Sequence, residues 1–180
     1  MPPAPDAPLL ETPRLRLHPL AAGGEARLQA VFRAAPDAFP GSGGRGAGAE
    51  PDAAERELHQ CAATPGREVA VLTLRGGGED VGAIGWWSGH PGPGLALLGT
   101  LIVAPGHRGR GLAREALDAL SAWLAEAGAQ ALRTGVERRR LGAYQALRAL
   151  GFVELSIAEH TRLGLAGAGM ALMEKRLRAG

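Results

Sequence analysis

The stretch Val103-Ala104-Pro105-Gly106-His107-Arg108-Gly109-Arg110-Gly111-Leu112-Ala113 constrains this chain more than any other. An apolar run, Leu95 to Ala104, precedes it, and an amphipathic pattern, Leu112 to Ala127, follows. That order reads as strand, glycine-rich turn, helix. Such a turn leaves backbone N–H groups unpaired at a helix N-terminus, where the macrodipole also favours negative charge. The result is a ready site for a phosphate or diphosphate. Gly109 and Gly111 let the backbone approach a ligand with no Cβ in the way. Arg108 and Arg110 add fixed positive charge and forked donors.

Two well-known phosphate loops do not fit. The Walker loop needs Gly-Lys-Ser/Thr at its end, and the only lysine is Lys175. The dinucleotide fingerprint needs a third glycine where Arg114 stands, which argues against a nicotinamide-dependent oxidoreductase. A third pattern does fit. Arg108-Gly109-Arg110-Gly111-Leu112-Ala113 resembles the Arg/Gln-x-x-Gly-x-Gly/Ala signature of the GNAT superfamily of N-acetyltransferases. The resemblance implies that Arg108, Gly109, Arg110, Gly111, Leu112 and Ala113 hold the pyrophosphate of acetyl-coenzyme A. It also implies that the backbone of Leu101, Ile102 and Val103 pairs with the pantetheine arm.

A second partial signature supports the first. The superfamily's last helix usually carries Asn-x-x-Ala, then Tyr, then Gly-Phe. Here Ala143, Gly151 and Phe152 match, while Arg140 replaces the asparagine and Leu147 the tyrosine. In many relatives that tyrosine donates a proton to the departing thiolate, which Leu147 cannot do. Tyr144, the only tyrosine, lies three residues earlier on a neighbouring part of the same helical face. Either Tyr144 or water is the expected proton donor, and packing is the plain alternative for Tyr144. Arg138, Arg139 and Arg140 form a basic run at a helix start, an electrostatically poor place for positive charge. Arg140 is therefore a candidate contact for the adenosine 3′-phosphate.

The remaining chain reads in order as follows. Leu9 to Leu20 alternates and gives a first strand, its wording similar to the branch that acetylates ribosomal-protein N-termini. Helices are expected over 24–35 and 50–63, with a Gly-rich loop at 39–49. Glu68–Arg75 and Val81–Trp87 form an antiparallel hairpin that sends Trp86 and Trp87 to opposite faces. Leu95–Val103 is a buried central strand, and Ala131–Val136 follows α-helical 112–127 as its parallel neighbour. A helix over 139–150 and strands over 153–159 and 170–177 complete the chain, the last two separated by a 164–169 loop. With the resemblance this implies an α/β acyl-CoA N-acyltransferase (GNAT) fold. Its twisted, mixed sheet would have about six to seven strands, helices on both faces and a splayed central strand pair.

Length fits one domain, expected over 9–180 behind a disordered tail at 1–8. The single cysteine, Cys61, rules out an internal disulfide and suits a reducing, cytoplasmic setting, with Cys61 a bland thiol. A net charge of +2 lacks the basic stripe of a nucleic-acid binder. No apolar stretch has membrane-spanning length, and no residue cluster has metal spacing.

The chemistry implied is acetyl transfer from acetyl-coenzyme A to a primary amine, on a small molecule or a protein N-terminus. Backbone N–H groups near Val103 are candidate oxyanion donors. Glu137, just past a parallel strand, ranks first as general base, ahead of Glu68, His59 and His160. The alternative is a coenzyme A-binding regulatory module without turnover. Whether the 164–169 loop covers the cofactor or pairs with a second copy in a homodimer stays open at this level.

Overall fold

The structure, a computed structural model, describes residues 10–39, 50–162 and 169–178. The expected tail at 1–8, nearly all of the 39–49 loop and residues 164–168 lie outside them. The chain divides into two compact units: Met1–Trp87 with Gly99–Leu120, and Ser88–Leu98 with Ser121–Gly180.

The first unit begins with β1 (Leu10–Glu11) and β2 (Leu15–Pro19), followed by α1 (Glu25–Ala34) and α2 (Ala53–Ala63). Then come β3 (Arg67–Leu74), β4 (Asp80–Ser88), the end of β5 (Leu95–Val103) and the start of α3 (Leu112–Glu126). Its ladder order is β1-β2-β3-β4-β5. Strand alternation divides the apolar residues between two faces. Val69, Val71, Ala83 and Ile102 form one core with Leu28, Val31 and Phe32 of α1 and Ala54 and Leu58 of α2. On the opposite face Leu15, Leu17, Ala70, Leu72 and Ile84 are also fully buried. In the same unit α3 buries Leu112, Ala116, Leu117 and Leu120.

Helix α1 stops before Pro36, which lacks an N–H and starts a short 3-10 turn, Pro36–Ala38. Gln29, buried on α1, clasps the entry to α2. Its Nε2 donates to Glu50 O (2.9 Å), and its Oε1 accepts from Ala54 N–H (3.0 Å), one of the donors a helix start leaves orphaned. Gly82 sets how closely β4 and β5 approach: a Cβ there would stand 2.3 Å from Ile102 O.

The second unit contains the start of β5, the end of α3, β6 (Ala131–Glu137), α4 (Leu141–Ala149), β7 (Val153–Glu154), α5 (Ile157–Arg162) and β8 (Met170–Arg176). Its ladder order is β5-β6-β8-β7. Strands β5 and β6 are parallel, in register at Leu95↔Ala131, Ala96↔Leu132 and Leu97↔Arg133. At the next position a side chain takes over, Thr134 Oγ1 donating to Leu98 O (2.9 Å). Strand β8 runs antiparallel to β6 from Ala131↔Arg176 to Glu137↔Met170.

Two expectations are corrected. Among the described residues there are eight strands rather than six or seven, in a mostly antiparallel sheet. One extra strand arises because Thr12 and Pro13 break the first strand into β1 and β2. Thr12 N–H turns back to Leu15 O (2.9 Å). The other correction is at 153–159, where strand stops at Glu154 and α5 begins at Ile157. Ser156 and Glu159 cap that helix reciprocally. Glu159 N–H donates to Ser156 Oγ (3.3 Å), and Ser156 N–H donates to Glu159 Oε2 (3.2 Å).

Candidate active site

The glycine-rich turn lies wholly in the first unit. Strand β5 leaves through a 3-10 turn, Pro105–His107, secured by Ala104 N–H donating to Val81 O (2.8 Å). Gly109 and Gly111 then adopt φ of +73° and +77°, the left-handed region that side-chain-bearing residues avoid. Two reversals in three residues aim the backbone outward just before α3 starts at Leu112, which is itself buried. The N–H groups of Gly109, Arg110, Gly111, Leu112 and Ala113 consequently donate to no acceptor among the described residues. Arg110 is exposed, and its guanidinium makes no ion pair or hydrogen bond among them. Unpaired N–H groups, a helix N-terminus and a solvated cation make an anion site.

Arg108 behaves differently from Arg110. Its Nε donates to Val103 O (2.8 Å), and its Nη1 and Nη2 grip Asp37 at 2.6 and 2.9 Å. The forked donors that the sequence suggests for a ligand hold the turn to the exit of β5 and to the 3-10 turn after α1. Leu101, Ile102 and Val103 form the end of β5, where Arg108 already occupies the Val103 carbonyl. His107 leans on Glu79, Nε2 to Oε1 at 3.2 Å.

Glu68, on β3, is half-buried opposite Trp86 of β4. It has no side-chain hydrogen bond or ion pair among the described residues. Burial without a partner pushes its pKa up. Trp86 is buried, whereas Trp87 is half-exposed with Nε1 donating to Pro65 O (3.1 Å). Burial also pushes the Cys61 thiol up to about 11, leaving it no thiolate at neutral pH. His59 is exposed on α2.

The other predicted residues belong to the second unit. Tyr144, on α4, donates its hydroxyl proton to Glu154 Oε2 (2.8 Å), and Arg138 also pairs with Glu154. The bond to Glu154 raises the Tyr144 pKa. Glu137 ends β6 and accepts from Arg139 Nε (2.8 Å), a bond that lowers its pKa. Arg140 stands immediately before α4, half-buried. His160 is buried, its Nε2 accepting from Leu172 N–H (3.2 Å).

Three side chains that support this turn, Asp37, Glu115 and Arg14, have no such role legible in the sequence. Glu115, in the first turn of α3, accepts from Thr12 Oγ1 (2.5 Å), Arg14 N–H (2.9 Å) and Arg14 Nε (2.6 Å). Burial works to raise its pKa, but these bonds and the guanidinium charge hold it below the usual carboxylate value. The alternation of the first strand sets Arg14 on the face opposite Leu15 and Leu17. It is exposed, in the turn before β2, and only the early acid of α3 points to a partner. Among the described residues no group of three or more His, Cys, Asp or Glu could hold a metal ion. None of their helices is long and apolar enough to cross a membrane.

Residues 28–152 match the acetyltransferase (GNAT) family. The chain is similar to an acetyltransferase from Thermus thermophilus, with 26% identity and a TM-score of 0.75 over 95% of this chain and 100% of that one. An acetyltransferase from Agrobacterium tumefaciens shares the fold at 22% identity and a TM-score of 0.65, covering 94% of each chain. A GNAT-family acetyltransferase from Staphylococcus aureus shares it at 15% identity and a TM-score of 0.65, over 91% of this chain and 99% of that one. No curated protein matches the sequence.

Proposed function

This chain belongs to the acetyltransferase (GNAT) family, whose members take acetyl-coenzyme A as co-substrate, and we propose that it acetylates a primary amine on a small molecule or a protein N-terminus. One observation carries the reading: the unpaired N–H groups of Gly109 to Ala113 at the start of α3, with Arg110 beside them. A diphosphate offers the acceptor oxygens and the charge that such a row favours. Acetyl-coenzyme A, when bound, supplies an activated thioester. The residues proposed to hold it are the Arg108–Ala113 turn and the backbone of Leu101 to Val103, all in the first unit.

The test is thermal unfolding with and without acetyl-coenzyme A, with NAD as control. A ligand at a hundred times its Kd stabilises the folded state by about 2.7 kcal/mol. For a chain of this length we expect Tm to rise by roughly 5–10 °C with acetyl-coenzyme A and not with NAD. Thiol release across a panel of amines then finds the acceptor. No shift at millimolar acetyl-coenzyme A would refute the reading.

Proton transfer is assigned by environment. A base needs a pKa near the working pH. Glu137 is held down by Arg139, which weakens it as a base, while burial raises Glu68. Glu68 is therefore the preferred base. Tyr144 is an unfavourable acid, since its hydroxyl proton is already committed to the Glu154 carboxylate. Water is the preferred donor to the thiolate.

Glu68→Gln should lower kcat about a hundredfold and remove the rise of kcat/KM with pH, because the base acts only when ionised. Stability should move the other way. A raised folded-state pKa gives stabilisation that is present below the unfolded pKa and lost as pH rises through the folded one. At neutral pH, Gln removes that cost, so the variant should melt above wild type, and the difference should vanish in acid. Unchanged kcat would discard Glu68 as base. Tyr144→Phe, measured alongside, should keep kcat within about threefold, and a larger loss would restore it as acid.

A further inference from the structure

Arg14 lies far from the glycine-rich turn in sequence but reaches it in space. Its Nη1 donates to Arg110 O at 2.7 Å. Its Nη2 lies 3.5 Å from where a Cβ on Gly111 would sit, and it makes no hydrogen bond among the described residues. The rest of the side chain is fixed. Glu115 Oε2 accepts from Nε at 2.6 Å, and Glu115 Oε1 accepts from Arg14 N–H and from Thr12 Oγ1. Thr12 in turn is tied to the start of β2: its Oγ1 accepts from Leu15 N–H at 2.8 Å. The anchor chain runs from β2 through Thr12 and Glu115 to Arg14, and from Arg14 to the carbonyl between the two positive-φ glycines.

This arrangement does two things. Holding Arg110 O orients the Arg110–Gly111 peptide, whose N–H is one of the unpaired donors on the outer side of the turn. It also brings a guanidinium to the side of Gly111 that a Cβ would occupy, with Nη2 3.5 Å from that point. Glu115 neutralises part of that charge, but one η nitrogen keeps its hydrogens unclaimed. An arginine already anchored through its other donors loses little side-chain freedom when that nitrogen meets an anion.

We propose that Arg14 is a diphosphate-positioning residue: clamped by Glu115, it sets the Arg110–Gly111 peptide and presents Nη2 beside Gly111 as a second cation for the pyrophosphate of coenzyme A. The proposal rests on the acetyl-transfer reading above.

Calorimetric titration of wild type, Arg14→Gln and Glu115→Gln with coenzyme A and with acetylpantetheine, which lacks the pyrophosphate, tests it. Unliganded melting curves establish that each variant is folded. Arg14→Gln should weaken coenzyme A binding about tenfold, the loss expected for one charge-assisted donor. Its affinity for acetylpantetheine should match wild type. Glu115→Gln, which keeps the cation but slackens its anchor, should give a smaller loss of the same selectivity. An equal loss for both ligands would mean that Arg14 only supports the fold, and an unchanged coenzyme A Kd would mean that it does not reach the ligand. Either outcome overturns the proposal while leaving the acetyl-transfer reading intact. Wild type failing to bind coenzyme A at all overturns both. Should Arg14→Gln not fold, Arg14→Lys replaces it. Lysine keeps the charge but not the fork, so coenzyme A binding should still weaken while acetylpantetheine binding holds, and parity with wild type on coenzyme A would overturn the proposal.

Discussion

Gly111→Val should abolish the acetyl-coenzyme A-dependent rise in Tm while costing the unliganded protein only a few degrees. The cause is local. At φ +77° an L-residue pays about 1–2 kcal/mol, and a β-branched side chain is worse placed than most. Relief requires the Arg110–Gly111–Leu112 peptides to turn, and those peptides carry the N–H groups proposed to meet the diphosphate. The new Cβ also points at Arg14 Nη2, 3.5 Å away, so its methyls displace that cation as well. Losing two charge-assisted donors corresponds to about 3 kcal/mol or more, a Kd raised at least a hundredfold. The unliganded penalty corresponds to roughly 5 °C in a chain of this size. Gly109→Ala makes the useful contrast. Its φ is similar, but a Cβ there meets nothing within 4 Å, so the effect should be strain alone. A Gly111→Val protein that binds acetyl-coenzyme A within threefold of wild type would remove the turn from the cofactor site.

The turn was legible because its signal is short-range. Glycines at fixed offsets between an apolar run and an amphipathic run specify backbone shape with little help from the rest of the chain. The supports of the turn were not legible, because they are long-range. Nothing in the alternation around Leu15 and Leu17 says that Arg14 meets Glu115, about a hundred residues away. Nor does the composition around Pro36 say that Asp37 will capture Arg108. The two arginines of the turn look equivalent in sequence, yet one is tied to the protein and the other is open to solvent. Tertiary partners alone separate them.

The same contrast holds for the fold. The bounds of β5 were read directly, since nine nearly continuous apolar residues between turn signals leave little choice. The strand expected at 153–159 failed for an identifiable reason. Val153 and Ile157 suggest β structure, but Ser156-Ile157-Ala158-Glu159 is a capping box, and its two reciprocal bonds start α5. That local signal was present and was outweighed by residue propensity. Glu68 and Glu137 illustrate the limit for catalytic groups. Both are carboxylates at strand ends, and only the neighbours assign opposite shifts. Arg139 sits two residues from Glu137, a pairing the basic run half discloses, whereas the burial of Glu68 depends on the packed sheet.

The second large effect concerns stability. Arg133→Ala should lower the unfolding free energy by about 3 kcal/mol and Tm by roughly 10 °C. Arg133 on β6 faces Glu174 on β8 in direct register, with Nε and Nη2 both 2.9 Å from Oε2. Each side chain is only 11% exposed, so mobile ions screen the pair little. Removing Arg133 leaves the buried Glu174 with Arg176, whose side chain is 83% exposed and reaches only Oε1, at 3.1 Å. A half-satisfied buried charge, not the lost attraction, dominates the cost. The double variant Arg133→Met, Glu174→Leu should therefore recover most of the loss, although it removes more polar contacts than the single change. Strand register gives the pair a further role. A one-residue slip of β8 against β6 would move every side chain to the other face and bury both charges apart, so the pair penalises misregister. Chemical denaturation of wild type, Arg133→Met, Glu174→Leu and the double variant closes the cycle. A double variant as unstable as the sum of its singles would show that the two charges do not depend on each other, and the buried-pair account would fail.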